Sequence, residues 1–338
     1  MHAFVCPRCG QLVFFHDRAC VACDTPLGFA PDQQRMEVVQ APRFRCEAQE
    51  RAGCNWLVDA PGRRCRSCVL TRTRPADDDR EGLAAFAITE GHKRRVLFQL
   101  LALGLPVPDR AGGEDGTDLA FDLLSPRDGP VTTGHAGGVI TIDLQEADDA
   151  HREGVRAAMG EPYRTVLGHL RHEVGHQQFT ALVGPDDLDE VRAAFGDERA
   201  DYRSALDRHY AHGPPDGWQA DHVSAYATMH PAEDWAETFA HYLHLHGVLQ
   251  TAASYRLRVD GPALDGLATP DAWASDPSAL RWRTIEELIA TWLPLSYALN
   301  AVSRSVGGDD LYPFVLPPPV VDKLGVIHRL TRRSVGVA

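Results

Sequence analysis

The sequence predicts an α+β protein: a mainly helical domain with a small β-sheet, preceded by a cysteine-rich lobe. Three observations predict it. All eight cysteines fall between Cys6 and Cys68, and none follows. Beyond residue 80, apolar residues return every three or four positions in several long segments, the period of a helix with one buried face. Only two stretches there, 120–124 and 139–144, have the apolar, β-branched character of buried strands.

Residues 1–30 read as a zinc ribbon. Cys6-Pro7-Arg8-Cys9-Gly10 is a knuckle whose tight turn aims two thiolates at one point, and Gly10 permits the positive φ that such a turn favours. Cys20-Val21-Ala22-Cys23 supplies the second pair, with a strand expected over 12–15. Four thiolates close a tetrahedral site and leave no vacant position, so its role is structural. Residues 31–76 hold Cys46, Cys54, Cys65 and Cys68, of which only the last two have knuckle spacing. Lobes this small need a metal to fold because their core is thin, and a second structural zinc is expected. Confined, paired cysteines point to metal binding in a reducing compartment rather than to disulfides.

Asp77-Asp78-Asp79 marks the start of the third region, 77–338. A helix follows over 82–103, with Leu83, Phe86, Val96, Leu97, Leu100 and Leu101 as its apolar positions, Gly91 as a candidate interruption, and Gly104 with Pro106 as its stop. After the two strands, helices are expected over 148–159, 162–182, 232–249 and 284–303. A proline-rich stretch from Tyr312 leads into a short helical end at 320–330.

The chain carries a formal net charge of −13, unevenly placed: residues 1–76 hold 11 arginines against 7 carboxylates, the remainder 23 basic against 40 acidic groups. An acidic body argues against nucleic acid as the partner of the whole protein. The head lacks a basic run interleaved with aromatics for stacking on bases. The most apolar segment, 96–107, is shorter than the roughly 20 residues that cross a bilayer, and the opening residues do not resemble an export signal. The expectation is a soluble, cytoplasmic protein with no membrane partner.

The chemistry lies in Arg171-His172-Glu173-Val174-Gly175-His176, which contains His-Glu-x-x-His. On a helix, residues i and i+4 stand about 40° apart, so His172 and His176 can grip one metal ion. Glu173 flanks them, placed to take a proton from activated water. Val166, Leu170 and Val174 form a separate stripe that would bury the helix. Downstream, Glu233, Glu237, His241 and His244 share one helical stripe, with Trp235, Phe239 and Tyr242 on the opposite one. A two-histidine, one-carboxylate zinc site needs one more acidic ligand, which Glu233 or Glu237 can supply. Asp234 stands about 100° around the helix from Glu233 and is the poorer candidate. The metzincin alternative fails, because Phe179 and Leu182 occupy the positions where it requires Gly and His. His169, one turn before His172, and His241 are candidates for lining the cleft.

This core resembles the gluzincins, in which Glu from a later helix completes His-Glu-x-x-His. Tyr226, Ala232-Glu233, Trp235-Ala236-Glu237 and Phe239 resemble a segment of the anthrax lethal factor catalytic domain, with Asp234 where that domain has an aromatic. The resemblance implies Glu233 as the ligand, Glu237 as a carboxylate supporting a ligand histidine, and Tyr226 as the phenol that stabilises the oxyanion. Most of the chain is also similar to a bacterial family of zinc-binding metallopeptidases with an N-terminal zinc ribbon. The matching stretches are Cys54-Asn55-Trp56-Leu57, Arg164-Thr165, Gly168-His169, Arg171 through His176, Phe195-Gly196, Asp197-Glu198-Arg199, Tyr202, and Val223 through His244. It implies a gluzincin-like metallopeptidase domain, one catalytic and two structural zinc ions, and a peptide or protein substrate cleaved by metal-activated water with Glu173 as general base. Residue 139–144 strand pairing, if it lies at a sheet edge, offers a place for an extended substrate. Two other classes stay open: a zinc-ribbon adaptor for nucleic acid or protein with an idle hydrolase domain, and a zinc hydrolase of non-peptide amides. The oligomeric state is not encoded in any motif.

Overall fold

Apolar residues flanking the first knuckle pair as Phe4–Val5 (β1) and Leu12–Val13 (β2), antiparallel, with Phe4 opposite Val13. The computed structural model describes residues 3–108, 119–159, 161, 163–259 and 283–334. Leu27–Ala30 (β3) pairs with Arg35–Val38 (β4), and Phe44–Arg45 (β5) with Leu57–Val58 (β6), both antiparallel. The chain divides into two compact units, Met1–Glu173 and Val174–Ala338.

In the first unit, Thr71–Thr73 (β7) leads to the helix Arg80–Leu103 (α1). Both ends of α1 follow from their residues. The Asp79 carboxylate accepts the Gly82 amide at its start, and Gly104 takes the left-handed conformation (φ 73°) at its end. Gly91 does not interrupt it. The roughly 1 kcal/mol that glycine costs inside a helix is outweighed by the burial of Val96, Leu97, Phe98 and Leu100 on the same helix. Phe98 joins Phe4, Phe15 and Phe29 in one aromatic core, and Trp56 packs tilted against Phe29 at 5.4 Å. Arg94 donates to the Ala52 and Gly53 carbonyls, both at 3.1 Å. The core is therefore continuous from the first knuckle through the second cysteine group to α1. The Lys93 ammonium is fully buried against Glu90 at 2.6 Å, with the Thr71 hydroxyl bonded to both. Satisfied in this way, a buried charge is tolerated and ties α1 to β7.

Ala120–Leu124 (β8), Gly134–Ala136 (β9) and Val139–Asp143 (β10) complete a sheet of order β7-β8-β10-β9, with β8 parallel to β7 and β10, and β9 antiparallel to β10. β10 therefore lies between β8 and β9, and the edge position on which substrate addition to this strand depended is taken by β9. Gly137 and Gly138, both at positive φ, turn the chain so that β9 folds back over β10. Asp149–Met159 (α2) follows, then Val166–Leu182 (α3), within which the division of the two units falls. α3 begins later than the expected residue 162, which lies outside the described residues. Its start is set by Thr165, whose hydroxyl accepts the Gly168 amide at 2.9 Å.

The second unit adds Leu188–Phe195 (α4), Tyr202–His212 (α5), Pro231–Ser254 (α6), Ile285–Ser305 (α7) and Pro318–Ser334 (α8). α6 buries Trp235, Phe239 and Tyr242 as its spacing predicts. α8 fastens the unit: Lys323 pairs with Asp234 at 2.6 Å, the Tyr242 hydroxyl meets His328 at 3.0 Å, and Arg333 grips Asp187 with both terminal nitrogens. No helix among the described residues is long and apolar enough to cross a membrane.

Candidate metal centres

The eight cysteines are free thiols gathered into two groups of four, Cys6/Cys9/Cys20/Cys23 and Cys46/Cys54/Cys65/Cys68. Cys6 and Cys23 sulfurs are 3.8 Å apart, Cys9 and Cys20 3.6 Å, Cys54 and Cys65 3.6 Å. A disulfide would need about 2.05 Å. A zinc tetrahedron with arms of about 2.3 Å has edges of about 3.8 Å, so the thiols stand at the spacing of ligands. Backbone amides point at sulfur as thiolates require: Cys65 N–H to Cys46 Sγ (3.2 Å) and Trp56 N–H to Cys54 Sγ (3.4 Å).

Charge is unevenly shared within each group. The Thr25 hydroxyl and amide hold the Cys23 thiol down to about 6. The Gln11 amide favours a Cys9 thiolate too, yet its neighbour Cys23 pushes Cys9 up to about 12. In the second group, burial raises Cys65, and the Cys46 sulfur raises Cys68. Four adjacent thiols cannot all ionise without a cation among them, and a divalent ion supplies it. The two groups differ in exposure: all four cysteines of the second are buried, whereas Cys9 is exposed and Cys23 half-buried.

A third group comprises His172, His176 and Glu233, with one ligand atom from each lying within 4.8 Å of the others. Both histidines project from α3, one turn apart, and Glu233 from the first turn of α6. Their convergence has a cause in sequence. Gly175, between the histidines, lies against Ala236 of α6. A Cβ there would stand 3.0 Å from both the Cα and the carbonyl oxygen of Ala236, so a larger residue would force the two helices apart. The Gly175 carbonyl accepts the Trp235 indole N–H at 2.9 Å, locking the contact. The Trp235 ring is wedged between Phe179 and Phe195. Pro231 begins α6, and its ring lies so close to Gly196 (φ 94°) that a side chain at 196 would meet it at 3.0 Å.

His176 Nε2 and Glu233 Oε2 are 3.4 Å apart. Two ligands at about 2.0–2.1 Å from a tetrahedral zinc are separated by about 3.4 Å. His172 and Glu233 are buried, His176 half-buried, and Glu173 is buried beside them on α3. Zinc fits the donor set: two imidazoles and one carboxylate, the ligand types of an open, catalytic site.

Around Glu233 stand two phenols. Tyr202, at the start of α5, donates to Glu233 Oε1 at 3.0 Å. Tyr226 is pushed well above the usual phenol range by burial, then by the Glu233 carboxylate and by the neighbouring Tyr202. Glu237, one turn beyond Glu233, accepts the Ser224 hydroxyl at 2.6 Å, and Ser224 in turn accepts the Ala227 amide. Glu237 thereby fastens the turn that carries Tyr226 to α6.

The other candidates lie elsewhere. Among the described residues the third group contains none of His169, Asp234, His241 or His244. His169 Nδ1 pairs with the buried Glu146 at 2.5 Å. Burial opposes ionisation of Glu146, but the His169 ring beside it keeps its carboxyl below the usual range. Asp234 is committed to Lys323. His241 is buried, bonded to the Tyr312 hydroxyl at 2.7 Å with its ring against Phe314, and His244 packs on Tyr312 and Trp292. Tyr202 is the residue whose role sequence reasoning left unassigned. It stands 31 positions from its partner, and no periodicity links the two.

The family model described as "Putative zinc-binding metallo-peptidase" matches residues 82–330, and that of a zinc-ribbon domain matches residues 3–79, covering both cysteine groups. Three proteins described as uncharacterized, Rv2568c and MT2644 of Mycobacterium tuberculosis and Mb2598c of Mycobacterium bovis, are each 50% identical over 334 residues. The matches cover 97% of this chain and 94% of each relative. No solved structure matches the chain.

Proposed function

We propose, from the premise that this chain belongs to the zinc-binding metallo-peptidase family, that it is a peptidase of the gluzincin type with a catalytic zinc on His172, His176 and Glu233. The observation that carries this reading is the 3.4 Å separation of His176 and Glu233, two groups 57 residues apart in sequence, at the edge length of a zinc tetrahedron. When bound, zinc supplies a Lewis acid that polarises the scissile carbonyl and acidifies water. Glu173 removes the proton of the attacking water and delivers it to the leaving amine. Tyr226 donates a hydrogen bond to the oxyanion, charge that exists only near the transition state. Burial of the ring and then the Glu233 carboxylate both favour the protonated phenol, the form that can donate. Glu237 supports the site by holding, through Ser224, the turn on which Tyr226 sits.

In this reading the two cysteine groups bind one structural zinc each. Thiols grouped for metal rather than paired as disulfides suit a cytoplasmic protein. The substrate is a peptide or protein. The zinc-loaded full chain incubated with a mixed peptide library is expected to generate new peptide termini, and a zinc chelator to stop it. A parallel arm with non-peptide amides and esters separates the classes: turnover there with intact peptides would overturn the peptidase reading.

A further inference from the structure

The zinc ligand Glu233 offers two oxygens, and one faces His176 while the other is already engaged. Oε1 accepts a hydrogen bond from Tyr202 at 3.0 Å; Oε2 is the atom 3.4 Å from His176 Nε2. An ionised carboxylate only accepts, so the single phenolic proton of Tyr202 is spent on Glu233. The Tyr202 phenol is thus the donor and the Glu233 carboxylate the acceptor.

Tyr202 is itself held. The His230 ring stands 5.2 Å from its ring, centroid to centroid. His230 Nδ1 meets the Ala232 amide at 3.1 Å, and Nε2 meets the Ala200 carbonyl at 3.0 Å. An amide can only donate and a carbonyl only accept, so His230 is a neutral imidazole carrying its proton on Nε2. One side chain thus caps α6 just ahead of Glu233 and clamps the backbone two residues ahead of Tyr202. Asp201 adds a second restraint by capping α5 through the Ser204 amide. The phenol and the carboxylate meet because both of their helix starts are fixed to His230.

We propose that Tyr202 is a positioning residue for the zinc site: its hydrogen bond to Oε1 orients the Glu233 carboxylate so that Oε2 is the oxygen left toward His176. The assignment rests on the reading of Glu233 as a zinc ligand. It goes beyond that reading in giving a role to a residue outside both the histidine helix and the glutamate helix. A ligand held by a hydrogen bond to its outer oxygen is oriented before the metal arrives, and removing such partners typically lowers metal affinity about 10–100-fold.

The test uses the full-length zinc-loaded protein and its Tyr202→Phe variant, an isosteric change at a residue 43% exposed to solvent. Zinc release to a chelating dye is followed over time, and the catalytic site is also loaded with cobalt(II) to record its visible spectrum. The expected result is two slow zinc ions in both proteins and a third released about 10–100-fold faster from the variant, together with a changed cobalt spectrum. Tyr226→Phe serves as the contrast: it should reduce turnover and leave zinc release as in the wild type. If the wild type binds a third zinc and Tyr202→Phe releases it at the wild-type rate with an unchanged cobalt spectrum, the role of Tyr202 is overturned and the zinc site stands. If the wild type holds only two zinc ions, the site and the assignment fall together.

Discussion

Glu173→Gln is expected to retain all three zinc ions and to lose peptide hydrolysis by about 10²–10⁴-fold, the range over which general acid–base groups act. The reason is a separation of tasks along one helix. The third group consists of His172, His176 and Glu233 and does not include Glu173. The two histidines face one direction on α3, and Glu173 follows His172 about 100° further round. Glutamine keeps the shape and the hydrogen-bonding reach of the side chain but cannot accept a proton from water at neutral pH. Zinc content, measured on the same sample as turnover, separates loss of the base from loss of the metal. Full activity in a variant with three zinc ions would remove Glu173 from the chemistry.

The second large effect is expected on stability. Cys54→Ser should lower the zinc count by one and unfold the N-terminal part of the first unit, because binding of a structural zinc contributes folding free energy on the order of 10 kcal/mol. The loss should not stay local. Cys54 follows Ala52 and Gly53, whose carbonyls hold Arg94 of α1, and precedes Trp56, which packs on Phe29 in the core shared with Phe98. Cys9→Ser at the exposed corner of the first group should cost less, since water can solvate the altered ligand there. Thermal unfolding with zinc analysis checks both variants. Equal, small shifts in Tm for the two would mean that the buried group is held by packing and not by metal.

How far the structure was legible in the sequence depended on whether the determinants were local. α1 was readable at both ends because its caps, Asp79 and Gly104, sit beside the residues they cap. The buried faces of α3 and α6 followed from apolar spacing, and the histidine pair from the helical repeat. Glu233 as the candidate ligand came from a stripe on α6 together with a resemblance. The order of the sheet was not readable: strand β10 looks like any buried strand, and only the turn at Gly137-Gly138 puts β9 outside it. Helix α4 was missed because it is only eight residues long, and α5 because it is largely polar, with Ala205 as its buried residue. Tyr202 was named in the resemblance, but its role was missed for the same reason that makes it informative. Its bond to Glu233 closes a loop of 31 residues, and nothing along the chain between them repeats.

The central claim is that three side chains, two imidazoles from α3 and one carboxylate from α6, hold a single zinc ion in addition to the two held by cysteines. Native mass spectrometry of the full chain and of its Glu233→Ala variant tests it most directly. The account predicts three zinc ions on the wild type and two on the variant, with both cysteine groups still filled. Three on both proteins, or two on the wild type, would contradict it.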